Sequence, residues 1–283
     1  MNWRKFTLIA CLSGLFITLP IWVANISVSK LAQPKPPLNQ FSVEQIQQQA
    51  QAITVKVMSS DVLGSGIILQ RQGSVYTVLT NAHVLRAGNP PYRIQTSDRH
   101  IWQNVETNAS TSLHKNDLAI LQFRSTGKVY LVASLGSSPV VGMEVFAGGF
   151  PTTEEVSGEK GFVFNTGKVS LVLPKALEGG YQVGYTNNIQ KGMSGGPLLN
   201  RQGKVVGVNG MHANPIWDAP SVFADGSEAA PALHQKITRL SWAVPIDTVR
   251  TLLPRSPRSQ VPPGNALQEA LPPPTPKKQT IQN

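Results

Sequence analysis

The chain has 283 residues, enough for one large domain or two smaller ones. Hydrophobic residues make up 41 %, enough for a packed core, while charged residues are only 14 % and Gly and Pro number 24 and 22, a balance that favours short strands and many turns over long helices. The formal net charge of +10 draws the surface towards anions. The basic residues are scattered, however, with no zinc-finger spacing, no RNA-binding signature and no basic run interleaved with aromatics, so nucleic acid is not an expected partner.

The amino terminus bears on compartment. Arg4 and Lys5 precede a nearly uninterrupted apolar stretch over 6–23, with Pro20 near its end, the pattern of a secretory signal. At about 18 residues the run is long for a signal peptide and near the minimum for a membrane span. Cleavage after Ala24 would put bulky Trp22 where a small residue is preferred. Residues 1–29 are therefore read as a signal peptide or an N-terminal membrane anchor, and either places the globular part outside the cytoplasm, in the periplasm or beyond the cell. The single cysteine, Cys11, lies in this run. Leu8-Ile9-Ala10-Cys11 resembles a lipid-attachment box, but so few apolar residues precede it that Cys11 is read as an ordinary apolar residue. The exported part then has no disulfide, no cysteine nucleophile and no thiolate metal site.

Residues 30–40 form a Pro-rich linker, stiffened by Gln33-Pro34-Lys35-Pro36-Pro37. Over 41–51 the spacing of Val43, Ile46 and Ala50 predicts a helix. From residue 52 the pattern turns to period two and β-branched residues, predicting strands at 53–57, 66–69 and 75–79, the last two joined by a turn at 70–74. Further strands are predicted at 92–96, 117–123, 143–147, 161–172, 181–185, 198–199 and 204–208, an all-β pattern of sandwich or barrel type. Pro245-Ile246-Asp247-Thr248-Val249-Arg250 reads as a helix start. From residue 254 the chain is rich in Pro, Gln, Ser and Lys and reads as a disordered tail.

Three segments carry chemistry. Thr80-Asn81-Ala82-His83-Val84 offers an imidazole, Asn116-Asp117-Leu118-Ala119-Ile120-Leu121 a carboxylate, and Lys191-Gly192-Met193-Ser194-Gly195-Gly196-Pro197 a serine hydroxyl among glycines. A serine is a poor nucleophile until an imidazole takes its proton and a carboxylate orients and stabilises that imidazole. Each residue alone has a plainer reading: His83 as a histidine at a helix end, Asp117 as a strand cap or a partner of Lys115, and Gly-x-Ser-Gly-Gly as a turn. Their order and contexts together favour a catalytic set of His83, Asp117 and Ser194. His100, His114, His212 and His234 have no metal-ligand spacing, and no acidic oxygen cluster suggests calcium, so no metal or other cofactor is expected.

These segments, with Gly64-Ser65-Gly66-Ile67-Ile68 and Trp242-Ala243-Val244-Pro245, resemble the chymotrypsin-fold serine proteases, most closely the bacterial Deg/HtrA group and the glutamyl endopeptidases. Five short motifs in register cover about residues 52–253 of the chain. The resemblance implies two six-stranded antiparallel β-barrels, about 52–135 and 140–245, with a short C-terminal helix at 246–253 and the site between the barrels. It implies an endopeptidase acting on polypeptide substrates through an acyl-enzyme. In that chemistry His83 is general base then acid, Asp117 holds its tautomer, Ser194 is the nucleophile, and the N–H groups of Gly192 and Ser194 form the oxyanion hole. The resemblance also implies a specificity pocket with Asn188 at its base and Asn209, Gly210 and Met211 along its wall.

The departures set further expectations. Met193 stands where the digestive members carry an aspartate, so no salt bridge from a newly freed amino terminus completes the site. About thirty residues follow position 253, fewer than a peptide-binding PDZ domain needs, so Deg-style regulation is not assumed and the oligomeric state stays open. Without a carboxylate at Asn188, a preference for Lys or Arg is not expected. His212 is read either as a surface residue or as a reader of acidic side chains, and residues 213–239 as an insertion that covers or narrows the pocket. A second function class stays open: a catalytically inactive relative that uses the cleft only to bind peptides.

Overall fold

The computed structural model describes residues 40–108, 113, 115–152, 161–214 and 221–253, all within one unit that begins at Pro36. The expected signal or anchor at 1–29, nearly all of the linker, His114, residues 215–220 of the insertion and the tail from 254 lie outside them. Among the described residues no helix is long and apolar enough to cross a membrane.

The first helix, α1 (Val43–Ile53), starts at a capping box in which the Ser42 hydroxyl accepts from the Gln45 amide and the Gln45 side chain accepts from the Ser42 amide. Ile46, Ala50 and Ile53, on one face, are fully buried. The helix runs straight into strand β1 (Thr54–Met58). Strands β2 (Val62–Gln72) and β3 (Val75–Asn81) form a hairpin around Gly73-Ser74, a tighter turn than the predicted 70–74, because Gly73 supplies a φ of 59°. After the short helix α2 (Ala82–Arg86) come β4 (Arg93–Gln95), β5 (Ile101–Trp102), β6 (Glu106–Asn108) and β7 (Leu118–Arg124). These strands build one antiparallel sheet of order β5-β4-β1-β2-β3-β7-β6.

The second β-structure within it is a closed six-stranded barrel of order β10-β13-β12-β11-β8-β9. Its strands are β8 (Glu144–Gly149), β9 (Val163–Val172), β10 (Val183–Tyr185), β11 (Pro197–Leu199), β12 (Val205–Met211) and β13 (Ser241–Pro245). Helices α3 (Pro231–Thr238) and α4 (Ile246–Leu252) flank β13. The all-β, chymotrypsin-like class stands, with one difference in count: the N-terminal unit is a seven-stranded sheet because the short β5 and β6 extend its two edges.

Three apolar clusters hold this together. One lies inside the first sheet around Val55, Ile68, Tyr76 and Phe123, and one inside the barrel around Val145, Tyr185, Met193 and Leu198. The largest joins the units: Ile67, Leu79, Leu118 and Ile120 of the sheet share it with Leu199, Val208, Trp242 and Val244 of the barrel and with Ile46 and Ile53 of α1. Each such fully buried side chain contributes about 1.5–3 kcal/mol of transfer free energy. The junction on which the candidate residues converge is therefore a shared hydrophobic core.

Candidate active site

His83 sits in α2, directly after β3, and Asp117 directly before β7, the strand that pairs with β3 so that Asn81 lies opposite Leu118. Asp117 adopts φ of 46°, a left-handed conformation that a short polar residue tolerates. Its carbonyl accepts from the Ala82 amide at 3.0 Å and from Asn81 Nδ2 at 2.9 Å, which fixes the start of α2. Its carboxylate faces the histidine. Oδ1 accepts from the His83 amide at 2.8 Å, with the Arg86 guanidinium at 3.5 Å, and Oδ2 lies 2.6 Å from His83 Nδ1. The Tyr181 hydroxyl, from the barrel, also donates to Oδ2.

Burial pushes the Asp117 carboxyl upward, but the His83 ring hydrogen bond and charge, with the Tyr181 hydroxyl and the His83 amide, outweigh it and hold the group below the usual carboxylate range. An ionised carboxylate only accepts, so Nδ1 carries a ring proton, and in the neutral imidazole Nε2 keeps its lone pair. The pair is asymmetric in exposure: the His83 side chain is 37 % accessible, the Asp117 side chain 9 %.

Ser194 lies in the turn before β11. Gly192 has φ of 94°, and a Cβ there would sit 2.6 Å from the Phe150 carbonyl oxygen. At Gly195, with φ of 83°, a Cβ would overlap the Ser65 carbonyl and the Thr80 hydroxyl. Only a residue without a side chain at 195 lets the Ser194 turn press this closely on the first sheet, and only one at 192 lets it pass the 150–152 segment that follows β8. Ser65, fully buried on β2, stitches the two together. Its amide donates to the Ser194 carbonyl at 2.8 Å, its hydroxyl donates to the Gly192 carbonyl at 2.8 Å, and the Phe150 amide donates to that hydroxyl at 2.8 Å.

The peptides of the turn are each oriented from one side. The Lys191 carbonyl accepts from the Thr152 amide at 2.9 Å, and the Met193 carbonyl accepts from the Gly196 amide at 3.1 Å. In a trans peptide N–H and C=O point in opposite directions, so these bonds aim the amides of Gly192 and Ser194 the other way. Among the described residues neither amide donates to a protein acceptor. The Ser194 hydroxyl donates to the Gly210 carbonyl at 3.1 Å, and no hydrogen bond joins it to His83. Gly64 marks the proximity of the two segments: a Cβ there would meet the Val84 methyls and the Ser194 carbonyl together.

The expected pocket residues are placed less uniformly. Asn209 is fully buried with its side chain committed to the scaffold, accepting from the Tyr185 hydroxyl at 2.8 Å and donating to the carbonyls of Gly148 and Pro197. Asn188 is exposed, and its carbonyl accepts from Asn165 Nδ2 at 2.8 Å. Its neighbour Asn187 is the buried residue there. Gly210 and Met211 continue β12, and His212 beyond them is exposed. Met193 is fully inside the barrel cluster, an apolar anchor where the digestive enzymes use a carboxylate. The described part of the insertion pairs with residues 175–178: Leu177 bridges Phe223, the Glu178 amide donates to Val222, and Lys175 Nζ reaches Asp225 at 2.7 Å. Among the described residues no His, Cys, Asp and Glu cluster could hold a metal ion.

Sequence reasoning missed Tyr181 and Arg86 altogether, and quoted Ser65 only as part of a glycine motif. Tyr181 is 64 positions from Asp117 with no motif linking them.

Comparison with known proteins bears on the family and the fold. The trypsin-like peptidase domain family matches residues 64–208, which include all three candidate residues. The serine protease Do-like HtrA of Bacillus subtilis is 33 % identical over 157 residues, covering 52 % of this chain and 33 % of that protein. The periplasmic pH-dependent serine endoprotease DegQ of Escherichia coli is 30 % identical over 177 residues, covering 62 % and 37 %. The chain thus spans about a third of the length of these relatives. A serine endoprotease structure from Yersinia pestis shares the fold, with a TM-score of 0.54 at 21 % identity over 75 % of this chain and 65 % of that one. On the motifs, the fold and this match, the chain belongs to the trypsin-like peptidase domain family.

Proposed function

We propose that the protein is an exported serine endopeptidase that hydrolyses polypeptides through an acyl-enzyme. The observation that carries this reading is the His83–Asp117 pair, whose 2.6 Å contact leaves the Nε2 lone pair as base at the junction that also holds Ser194. In the proposed mechanism the Ser194 hydroxyl exchanges its bond to the Gly210 carbonyl for one to Nε2 as substrate binds. Hydroxyl contacts of this kind commonly tighten only in the substrate complex. Oγ then attacks the scissile carbonyl while Nε2 takes its proton. The imidazolium, stabilised by Asp117, returns that proton to the leaving amine, and water repeats the sequence to release the acyl group. The free amides of Gly192 and Ser194 are the donors for the tetrahedral oxyanion, each worth about 2.7–4 kcal/mol in the transition state.

Export is supported by the basic and apolar amino terminus and by a relative named as periplasmic. The test is hydrolysis of an unfolded protein substrate by the full chain against a Ser194→Ala variant. Cleavage that disappears in the variant supports the reading. Peptide binding without cleavage by the folded wild type overturns it in favour of a binding module.

A further inference from the structure

Resting on that reading, we propose that Tyr181 is a positioning residue that ties the acid–base pair of the first sheet to the barrel carrying the nucleophile. His83 supplies both the amide and the ring nitrogen that hold Asp117, so those bonds fix the pair internally and leave its placement against Ser194 unspecified. Tyr181 belongs to the other unit. Its hydroxyl donates to Asp117 Oδ2, and its ring lies against Gly210, where a Cβ would overlap the phenol. The Gly210 carbonyl in turn accepts from the Ser194 hydroxyl. One side chain thus touches the carboxylate and backs the strand residue that holds the nucleophile.

The tyrosine is itself firmly placed. It is 4 % accessible, and its carbonyl accepts from the Leu177 amide at 2.8 Å. The turn Glu178–Gly180 before it packs on the Asn116-Asp117 turn. Residues 176–178 are clamped by the described part of the insertion through the Phe223 bridge and the Val222 and Ala224 backbone bonds. Burial first, then the Asp117 charge, drives the phenol far above its ordinary range, so it remains a donor at working pH.

The charged and titratable groups facing the carboxylate are His83 and Arg86 from α2 and Tyr181 from the barrel, with Tyr185 behind the phenol. A phenolic donor shares the carboxylate's charge. Without it the carboxylate holds a proton on the neighbouring imidazole more strongly, so the acid limb of the pH–rate profile moves to higher pH.

The experiment compares wild type with Tyr181→Phe, which keeps the ring, and with Gly210→Ala, which displaces it. Each is measured for kcat and KM across pH and for the fraction labelled by a fluorophosphonate. The expected result for Tyr181→Phe is a fall in kcat of about tenfold to a hundredfold with KM changed less than about twofold, and an acid limb shifted upward. Gly210→Ala, if folded, moves the limb in the same direction. Wild-type kcat and limb in Tyr181→Phe overturn the proposal alone, as does activity lost only in proportion to the labelled fraction with the limb unmoved. A wild type that neither cleaves nor labels overturns this proposal together with the reading on which it rests.

Discussion

The two β units hold their halves of the site by different means. In the first sheet the proposed acid–base pair is fixed around one side chain: the buried Asp117 carboxylate collects bonds from the His83 amide, the His83 ring and, across the junction, Tyr181. In the barrel the turn of the proposed nucleophile Ser194 is fixed by backbone. Peptide groups at 191–196 are pinned by Thr152, Ser65, Asn209 and by each other, with glycines where a side chain would collide. The difference teaches where each half is vulnerable. The first should fail when a functional group is removed, the second when an atom is added.

The largest expected effect tests the side-chain half. Asp117→Asn can present its amide to His83 and so favour the wrong tautomer, and kcat should fall by about 10⁴. The same residue carries a pH signature. Its folded carboxyl lies below the 3.8 of a free aspartate, so its stabilisation is present above that value and is lost as pH falls through the folded one. Denaturant titration should therefore show wild type more stable than Asp117→Asn at neutral pH, with the gap closing in strong acid. A gap that widens in acid would contradict the geometry.

Gly192→Ala breaks the backbone half. Its Cβ would meet the Phe150 carbonyl at 2.6 Å, at a φ that disfavours any side chain. Displacing one oxyanion donor should cut kcat by about 10²–10³ while the His83–Asp117 pair stays intact. Unaltered kcat would remove Gly192 from the oxyanion site. Ser65→Ala sharpens the comparison with a smaller effect, because it deletes a side chain that serves the backbone half. It leaves the Phe150 amide and the Gly192 carbonyl without their partner, for a loss of about 1–3 kcal/mol in stability and a fall in kcat smaller than that of Gly192→Ala.

How much of this was legible in sequence follows the same division. The identities of His83, Asp117 and Ser194 lie in local motifs, and runs of alternating or β-branched residues signalled most strands, although β1, β8 and β12 are buried on both faces. The helix α3 was hidden inside what read as an insertion, although Pro231 at its first turn and the Leu233 and Ile237 spacing signal it. Strand β13 was quoted only as a motif, since Trp242-Ala243-Val244-Pro245 shows no apolar–polar alternation in sequence and ends in a proline. The expected pocket residues show how much depends on register. Asn209 points into the barrel towards Tyr185 while Asn188 is exposed, and a shift of one residue along a strand exchanges the faces. Tyr181 was beyond reach because its partner depends on how the sheet and the barrel dock, which no local pattern encodes.

The most direct test of the central claim is to treat the folded full-length chain with a fluorophosphonate and locate the adduct by peptide mass spectrometry. The account predicts a single adduct on Ser194 that disappears in His83→Ala. A well-folded wild type that stays unmodified, or one modified elsewhere with Ser194 untouched, would contradict it.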